Sequence, residues 1–433
     1  MSRNCNGYSV SREHILDDCH CAVKSPRNIH VKRLPRLAIR LFFLVTTSAF
    51  LWPVLPLTGV LKFILQASPF VAICSSVSIR HIGIGAVAGV AFALAAMFRR
   101  RWFCRYVCPT GLLLEGVARI GLEKISWWAK CPPIGRYAAA LTFFGSIAGY
   151  PFLLWMDPLA IFSSFFTVRT AGTIPAGFLA GFVLCILLLL GLTSGIFWCT
   201  RLCPLGGMQD ILISVKSLIN KTNSVAGGQE KEIMPMRRAL FLGAAGICIG
   251  LLGRRTGVAR GEDAPLRPPG AVAEDIFTGL CTRCGNCARV CPSEIILPDS
   301  GQAGVWGLLA PVLSFEKKYC LKDCADCTKV CPSGALEKLD IERKRRYIIG
   351  EALVDGSICL VTVGKKDCDA CVTVCPFEAI RIHWDEDMYV AYPLIDIDKC
   401  NGCGACEAIC PVEGYKAIRV WKLPFDELQA GNL

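Results

Sequence analysis

A helical membrane domain followed by a small α+β domain rich in cysteine is the fold class that this 433-residue sequence predicts. Three observations predict it. Hydrophobic residues make up 53% of the chain and charged residues only 19%, beyond what a soluble globular chain carries on either count. The apolar residues gather in the first half into runs of about bilayer length. Of the 27 cysteines, most lie in the second half in regularly spaced groups.

Charge divides the chain at the same place. Residues 1–269 carry 29 Lys and Arg against 11 Asp and Glu, a net +18, whereas residues 270–433 carry 18 against 24, a net −6. The cations of the first half stand beside apolar runs rather than on an alternating polar surface. They read as membrane topology signals, which argues against nucleic acid as a partner.

Residues 1–35 form an N-terminal cytoplasmic segment, in which Cys5, His14 and Cys19-His20-Cys21 read as incidental rather than as a metal site. Residues 36–215 form the membrane domain. Its apolar stretches, 37–57, 82–98, 138–156 and 174–198, each approach the roughly 20 residues that a bilayer demands. Lys32, Arg33, Arg36 and Arg40 precede the first, Arg99, Arg100, Arg101 and Arg105 follow the second, and Lys124, Lys130 and Arg136 precede the third. With Arg201, Lys216 and Lys221 after the fourth, the positive-inside rule places all these ends in the cytoplasm of a multi-pass protein of the bacterial inner membrane. The stretch 60–79 is broken by Lys62, Gln66 and Pro69 and reads as re-entrant, or else as a fifth span, so about four to five transmembrane helices are expected.

Residues 216–270 hold a polar linker and a signal-like or transmembrane helix. Arg237-Arg238 precedes fourteen apolar residues, 239–252, resembling a twin-arginine export signal that would carry a folded domain to the periplasm. Arg254 and Arg255 beyond that run suit a membrane-anchored helix end instead, and cleavage near Val258-Ala259 stays open.

Residues 271–433 carry the strongest signal, four cysteine groups: Cys281, Cys284, Cys287 and Cys291; Cys320, Cys324, Cys327 and Cys331; Cys359, Cys368, Cys371 and Cys375; Cys400, Cys403, Cys406 and Cys410. Each ends in Cys-Pro, and the first and fourth read C-x2-C-x2-C-x3-C-P without deviation. Three soft thiolates at that spacing wrap one face of an iron–sulfur cube, while the Cys-Pro turn sends the fourth to another cluster. Sixteen ligands predict a small α+β polyferredoxin domain with four 4Fe-4S clusters. Zinc ribbons lack this pattern. The run Arg343-Lys344-Arg345-Arg346 reads as a solvated face or a basic docking patch.

The membrane domain has its own motif twice, Phe103-Cys104-Arg105-Tyr106-Val107-Cys108-Pro109-Thr110-Gly111 and Trp198-Cys199-Thr200-Arg201-Leu202-Cys203-Pro204-Leu205-Gly206. The repeat suggests two related hairpins around a pseudo-two-fold axis. Cys104, Cys108, Cys199 and Cys203 facing one another would ligate a further cluster, bind copper or cycle as redox thiols. Cys131 is a lesser candidate for this group, and Cys74, Cys185 and Cys248 are expected to pack in apolar surroundings. Asp157, before Pro158, is an ionisable group at a membrane boundary and a candidate proton acceptor, with Lys62, Gln66, His81 and Trp155 as candidate neighbours.

The four cysteine groups behind a paired arginine resemble the NapG/MauM ferredoxin type, and the two Cys-x3-Cys-Pro motifs resemble the NapH/MauN/NosR membrane family. The chain thus resembles a fusion of a NapH-type membrane quinol dehydrogenase with its NapG-type partner, although the two cytoplasmic clusters usual in NapH-type proteins have no counterpart here. The resemblance implies that the outer cysteine groups pair with each other and the inner groups likewise. Cys410 would then complete the cluster of Cys281, Cys284 and Cys287, and Cys291 that of Cys400, Cys403 and Cys406. Cys375 would join Cys320, Cys324 and Cys327, and Cys331 would join Cys359, Cys368 and Cys371. The expected function is a membrane-anchored iron–sulfur electron-transfer protein taking electrons from the membrane quinone pool to a periplasmic oxidoreductase or cytochrome. The alternative is an assembly or maturation factor, or a thiol or copper reductase, using the same clusters.

Overall fold

The computed structural model describes residues 26–52, 58–81, 83–121, 131–167, 174–222, 233–256, 265–301, 304–386 and 389–422. Cys5, His14, Cys19-His20-Cys21, Lys124, Lys130 and Val258-Ala259 lie outside the described residues, as do the side chains of Lys221, Arg237 and Arg238.

The first half is helical: α1 (Pro26–Leu51), α2 (Thr58–Gln66), α3 (Pro69–Ile79), α4 (Ile84–Phe98), α5 (Trp102–Tyr106), α6 (Pro109–Ile120), α7 (Ile134–Ile147), α8 (Pro158–Phe165), α9 (Ile174–Ser194), α10 (Pro204–Thr222) and α11 (Ile233–Thr256). Proline starts five of them at the first helical position, where its missing N–H costs nothing. The residue before each proline is forced out of the helical region. Ser68 (ψ 117°), Cys108 (ψ 114°), Asp157 (ψ 128°) and Cys203 (ψ 119°) are all extended.

The expectation of a multi-pass membrane domain is overturned. Among the described residues no helix is long and apolar enough to cross a membrane. The apolar stretches are cut by turns. Stretch 60–79 breaks at Pro69 into α2 and α3, 37–57 leaves the helix after Leu51, and 138–156 stops at Ile147 before Gly149 turns with φ +85°. Helix α4, with 15 residues, rises only ~22 Å, and 174–198 ends as α-helix at Ser194, before Gly195 with φ +63°. The inner-membrane location inferred from those stretches falls with them. Cys74 is fully buried as expected, but Cys185 and Cys248 are exposed.

The second half adds α12 (Glu274–Leu280), α13 (Asn286–Val290), α14 (Gly304–Gly307), α15 (Asp326–Lys329), α16 (Ile341–Arg346), α17 (Ala370–Val374) and α18 (Ala405–Ile409). Three antiparallel strand pairs accompany them: β1 (Ile296–Pro298) with β2 (Pro311–Leu313), β3 (Glu351–Val354) with β6 (Ile418–Trp421), and β4 (Ile380–Asp385) with β5 (Val390–Ile395). The closures matter more than the lengths. A bridge from Ala271 to Leu336 closes the segment bearing the first and second cysteine groups, and β3 against β6 closes the one bearing the third and fourth.

One core runs through both halves, from Leu65, Phe70 and Phe103 to Phe277, Leu280 and Phe315. At its edge the Arg267 guanidinium grips Glu274 (Nη2 to Oε1 2.6 Å), and Lys422 reaches the same carboxylate at 3.0 Å. This ties the start of the cysteine-rich half to its end.

Arg267→Met leaves Glu274 buried with Lys422 alone and is expected to cost about 3 kcal/mol, read as a lowered denaturation midpoint at equal iron loading. A second expectation concerns Asp157, which is fully buried. Burial pushes its carboxyl up to about 6, although it accepts from Ser68 Oγ at 2.6 Å and from the N–H groups of Leu159 (3.0 Å) and Ala160 (3.3 Å). The folded chain therefore holds this proton where the unfolded chain has lost it. Its contribution is fully present below pH ~4 and lost as the pH rises through about 6. Urea titrations of Asp157→Asn should lack that decline, so that the wild type loses about 3 kcal/mol relative to the variant across the interval.

Candidate metal centres

The sixteen cysteines of the second half gather around four separate cavities. The first is lined by Cys281, Cys284, Cys287 and Cys331. Cys291, Cys320, Cys324 and Cys327 line the second, Cys359, Cys368, Cys371 and Cys410 the third, and Cys375, Cys400, Cys403 and Cys406 the fourth. Each group of three is completed by the Cys-Pro cysteine of its neighbour. This corrects the pairing that the resemblance implied. Cys331, not Cys410, joins Cys281, Cys284 and Cys287, and Cys375, not Cys291, joins Cys400, Cys403 and Cys406. Likewise Cys291, not Cys375, joins Cys320, Cys324 and Cys327, and Cys410, not Cys331, joins Cys359, Cys368 and Cys371. The physical reason is the pair of closures, which hold groups one and two in one segment and groups three and four in the next.

Helix ends position the sulfurs. Gly285 (φ +72°) and Gly404 (φ +80°) turn the chain into α13 and α18, carrying Cys287 and Cys406 into their cavities. The Cys-Pro cysteines close those helices in extended conformation, Cys291 with ψ 112° and Cys410 with ψ 121°, and leave their own group. The Leu336 N–H donates to Cys331 Sγ at 3.3 Å and the Ala379 N–H to Cys375 Sγ at 3.4 Å.

Donor set and cavities fit iron–sulfur clusters. The cavities, of about 20 to 50 Å³, are each ringed by four thiols. That is the arrangement a cube needs, since each thiolate binds a different iron. Burial pushes Cys281 up to about 12 and Cys371 and Cys403 up to about 11. Such thiols deprotonate when a cation binds them.

The two Cys-x3-Cys-Pro motifs also meet. Cys104, Cys108, Cys199 and Cys203 act electrostatically on one another, and burial pushes all four upward. The motif has a local logic. Cys108 caps α6, its Sγ accepting from Gly111 N–H at 3.4 Å, and Cys203 accepts from Gly206 N–H before α10. A Cβ on Gly111 would stand 3.3 Å from the Cys104 carbonyl oxygen, and one on Gly206 3.1 Å from that of Cys199. Hence the glycine two residues after each proline.

Residues that the sequence reading passed over hold this centre together. Gln209 donates to Cys104 Sγ at 3.1 Å and accepts from Phe103 N–H at 3.2 Å. Arg101 crosses between the motifs, donating to Asp210 Oδ2 (2.6 Å) and to the carbonyls of Cys199 (2.9 Å) and Thr200 (3.1 Å). Asp210 stands seven residues after Cys203, as Glu115 stands seven after Cys108, and Glu115 pairs with Arg40. Aligning the two halves of the repeat would have exposed both acids.

Cys131 is half-buried. Two of the neighbours expected around Asp157 make contacts elsewhere, and a third is exposed. Gln66 donates to the Pro332 carbonyl at 3.0 Å, the Trp155 ring lies 5.2 Å under the Arg283 guanidinium, and His81 is exposed. Lys62 is half-buried.

A family model described as a 4Fe-4S dicluster domain matches residues 280–335 and 366–413, each within one of the two closed segments, the second match beginning after Cys359. One described as a 4Fe-4S binding domain matches residues 81–127 and 176–222, one motif each. Among curated proteins, the methylamine utilization ferredoxin-type protein MauM of Methylorubrum extorquens is 36% identical over 204 residues, which is 44% of this chain and 90% of the relative. The ferredoxin-type protein NapG of Escherichia coli is 35% identical over 211 residues, 46% of this chain and 86% of the relative. The ferredoxin-type protein NapF of Haemophilus influenzae is 35% identical over 147 residues, 34% of this chain and 75% of the relative. No solved structure matches the chain. The NapH-type membrane half of the expected fusion is not shown by these relatives. Cysteine geometry, dicluster segments and relatives agree on 4Fe-4S clusters, and the chain belongs to the NapG/MauM family of ferredoxin-type iron–sulfur electron-transfer proteins.

Proposed function

We propose that this chain holds four 4Fe-4S clusters in its second half and a further one at Cys104, Cys108, Cys199 and Cys203, and relays electrons from a quinol to a partner oxidoreductase. The observation that carries the reading is the row of four-thiol cavities. A 4Fe-4S cluster, when bound, accepts and releases one electron at a time. The protein supplies ligands, order and dry surroundings.

The order follows from backbone contacts. The first and second cavities share a segment by exchange of Cys291 and Cys331, and the third and fourth by exchange of Cys375 and Cys410. The Cys320 N–H donates to the Cys403 carbonyl at 2.9 Å, setting the second cavity beside the fourth. The series is therefore first, second, fourth, third. The helical half adjoins its first member: Ser163 donates to the Cys284 carbonyl at 3.0 Å, and Asn286 donates to that of Leu61 at 3.2 Å. A donor on the helical side would feed that end. Asp157, buried and bonded to Ser68, is the group proposed to take a proton from the quinol.

Iron analysis of the anaerobically purified chain is expected to give about twenty irons, falling by about four in Cys104→Ser. Electron paramagnetic resonance should show that Cys331→Ser alters the cluster on Cys281, Cys284 and Cys287, while Cys410→Ser leaves it intact and alters the one on Cys359, Cys368 and Cys371. A quinol analogue should reduce the clusters of the wild type and not those of Cys104→Ser. An iron content near four, or zinc in place of iron, overturns the reading.

A further inference from the structure

The basic run at 343–346 is not one surface. It forms the short helix α16, capped by Asp340, whose Oδ1 accepts from Arg343 N–H at 2.7 Å. Arg343 points outward to Glu337 at 3.3 Å, and Arg345 to Asp323 at 2.7 Å and Glu342 at 2.8 Å. Lys344 turns the other way and is fully buried. Its Nζ donates to the carbonyls of Leu321 and of Lys322, the latter at 3.3 Å, both within the loop from Cys320 to Cys324. Its charge is felt at Cys320, Cys324 and Cys327.

Among the described residues no carboxylate pairs with this ammonium. A buried cation without a counter-ion is costly, so the anion that balances it has to be found nearby. The sulfurs of the second cavity, on which its charge acts, are the candidates. The cations of the C-terminal pair of cavities are only half-buried: Lys416 donates to the Cys410 carbonyl at 2.6 Å and Lys322 to that of Pro376 at 2.8 Å, while Cys371, Cys403 and Cys406 are governed by burial and by neighbouring thiols.

We propose that Lys344 is a positioning residue that raises the reduction potential of the cluster held by Cys291, Cys320, Cys324 and Cys327 above that of the adjoining cluster held by Cys375, Cys400, Cys403 and Cys406. Reduction adds one electron and therefore one negative charge to the cluster. A fixed positive charge a few bonds away in a dry interior favours that state. The electron comes from the preceding carrier in the series. With no fully buried lysine at the C-terminal pair among the described residues, an electron in the series rests on the second cluster rather than on the fourth. The proposal rests on the four-cluster reading of the second half.

The test is a mediated potentiometric titration of the full, iron-loaded chain, followed by electron paramagnetic resonance. Cys324→Ser identifies the signal of the second cluster. Lys344→Gln keeps a donor for the Leu321 and Lys322 carbonyls and removes the charge, whereas Lys344→Arg keeps the charge. With iron at the wild-type level, Lys344→Gln should move the second cluster's midpoint to more negative potential and leave the other midpoints in place, and Lys344→Arg should restore it. An unmoved midpoint at full iron overturns the role assigned to Lys344 and leaves the four-cluster reading standing. Loss of one cluster's iron in Lys344→Gln but not in Lys344→Arg also overturns it, because the residue is then a prop for assembly. A wild-type chain without four clusters in this half removes the reading beneath it.

Discussion

Proline dictates the conformation of the residue before it, and that constraint places most of the chemistry in this chain. The ring excludes the helical region at the preceding position, so that residue is extended while the chain beyond it changes direction. Ser68, Cys108, Asp157, Cys203, Cys291, Cys375 and Cys410 all precede a proline and all have ψ between 110° and 128°. In the helical half the extended residue becomes the cap of the next helix. In the cysteine-rich half it ends a short helix and throws its sulfur out of its own group. One local rule thus produces capped thiols in one half and exchanged ligands in the other. It also brings Ser68 and Asp157 together, two pre-proline residues whose side chains bond each other at 2.6 Å.

The exchange of ligands explains how so little regular structure encloses so many cysteines. No described helix of the second half exceeds seven residues and no strand six. Such elements bury too little apolar surface to stand alone. Interlocking the groups in pairs lets each segment be closed by its own terminal pairing, Ala271 with Leu336 and β3 with β6. The Arg267, Glu274 and Lys422 contacts then fasten the beginning to the end.

Cysteine spacing made the sulfur groups readable, because x2 and x3 intervals are fixed by the shape of the cluster they wrap. It could not reveal which groups are neighbours. That depends on a single bridge at Ala271 and a four-residue strand pair, both too short to leave a pattern. Apolar stretches of the helical half were equally visible, but length alone hid the breaks at Pro69, Gly149 and Gly195 that divide or end them. The run at 343–346 misled for a geometric reason. On a helix of under two turns, neighbouring side chains point about 100° apart, so a uniform string of cations need not share a face. Lys344 is the one turned inward. Gln209 and Asp210 went unread because they act through Cys104 and Arg101 rather than through a motif of their own.

The contact between the halves falls on the parts of the first cavity that its own cysteines do not control. Ser163 holds the Cys284 carbonyl and Gln66 that of Pro332, so one residue of the helical half grips the loop of the first group and another grips the turn that delivers Cys331. Arg289 reinforces this, donating to the Ser163 carbonyl at 2.6 Å and to its hydroxyl at 2.7 Å. Gly285 turns with φ +72° directly beneath Thr167, where a Cβ would come within 2.0 Å of the threonine methyl. The absence of a side chain there is demanded twice, by the turn that opens α13 and by the approach of the helical half. Movement of α8 would accordingly be felt at Cys284 and Cys287 before any other ligand, and the first cavity is where the state of the helical half and the electron affinity of the cysteine-rich half meet.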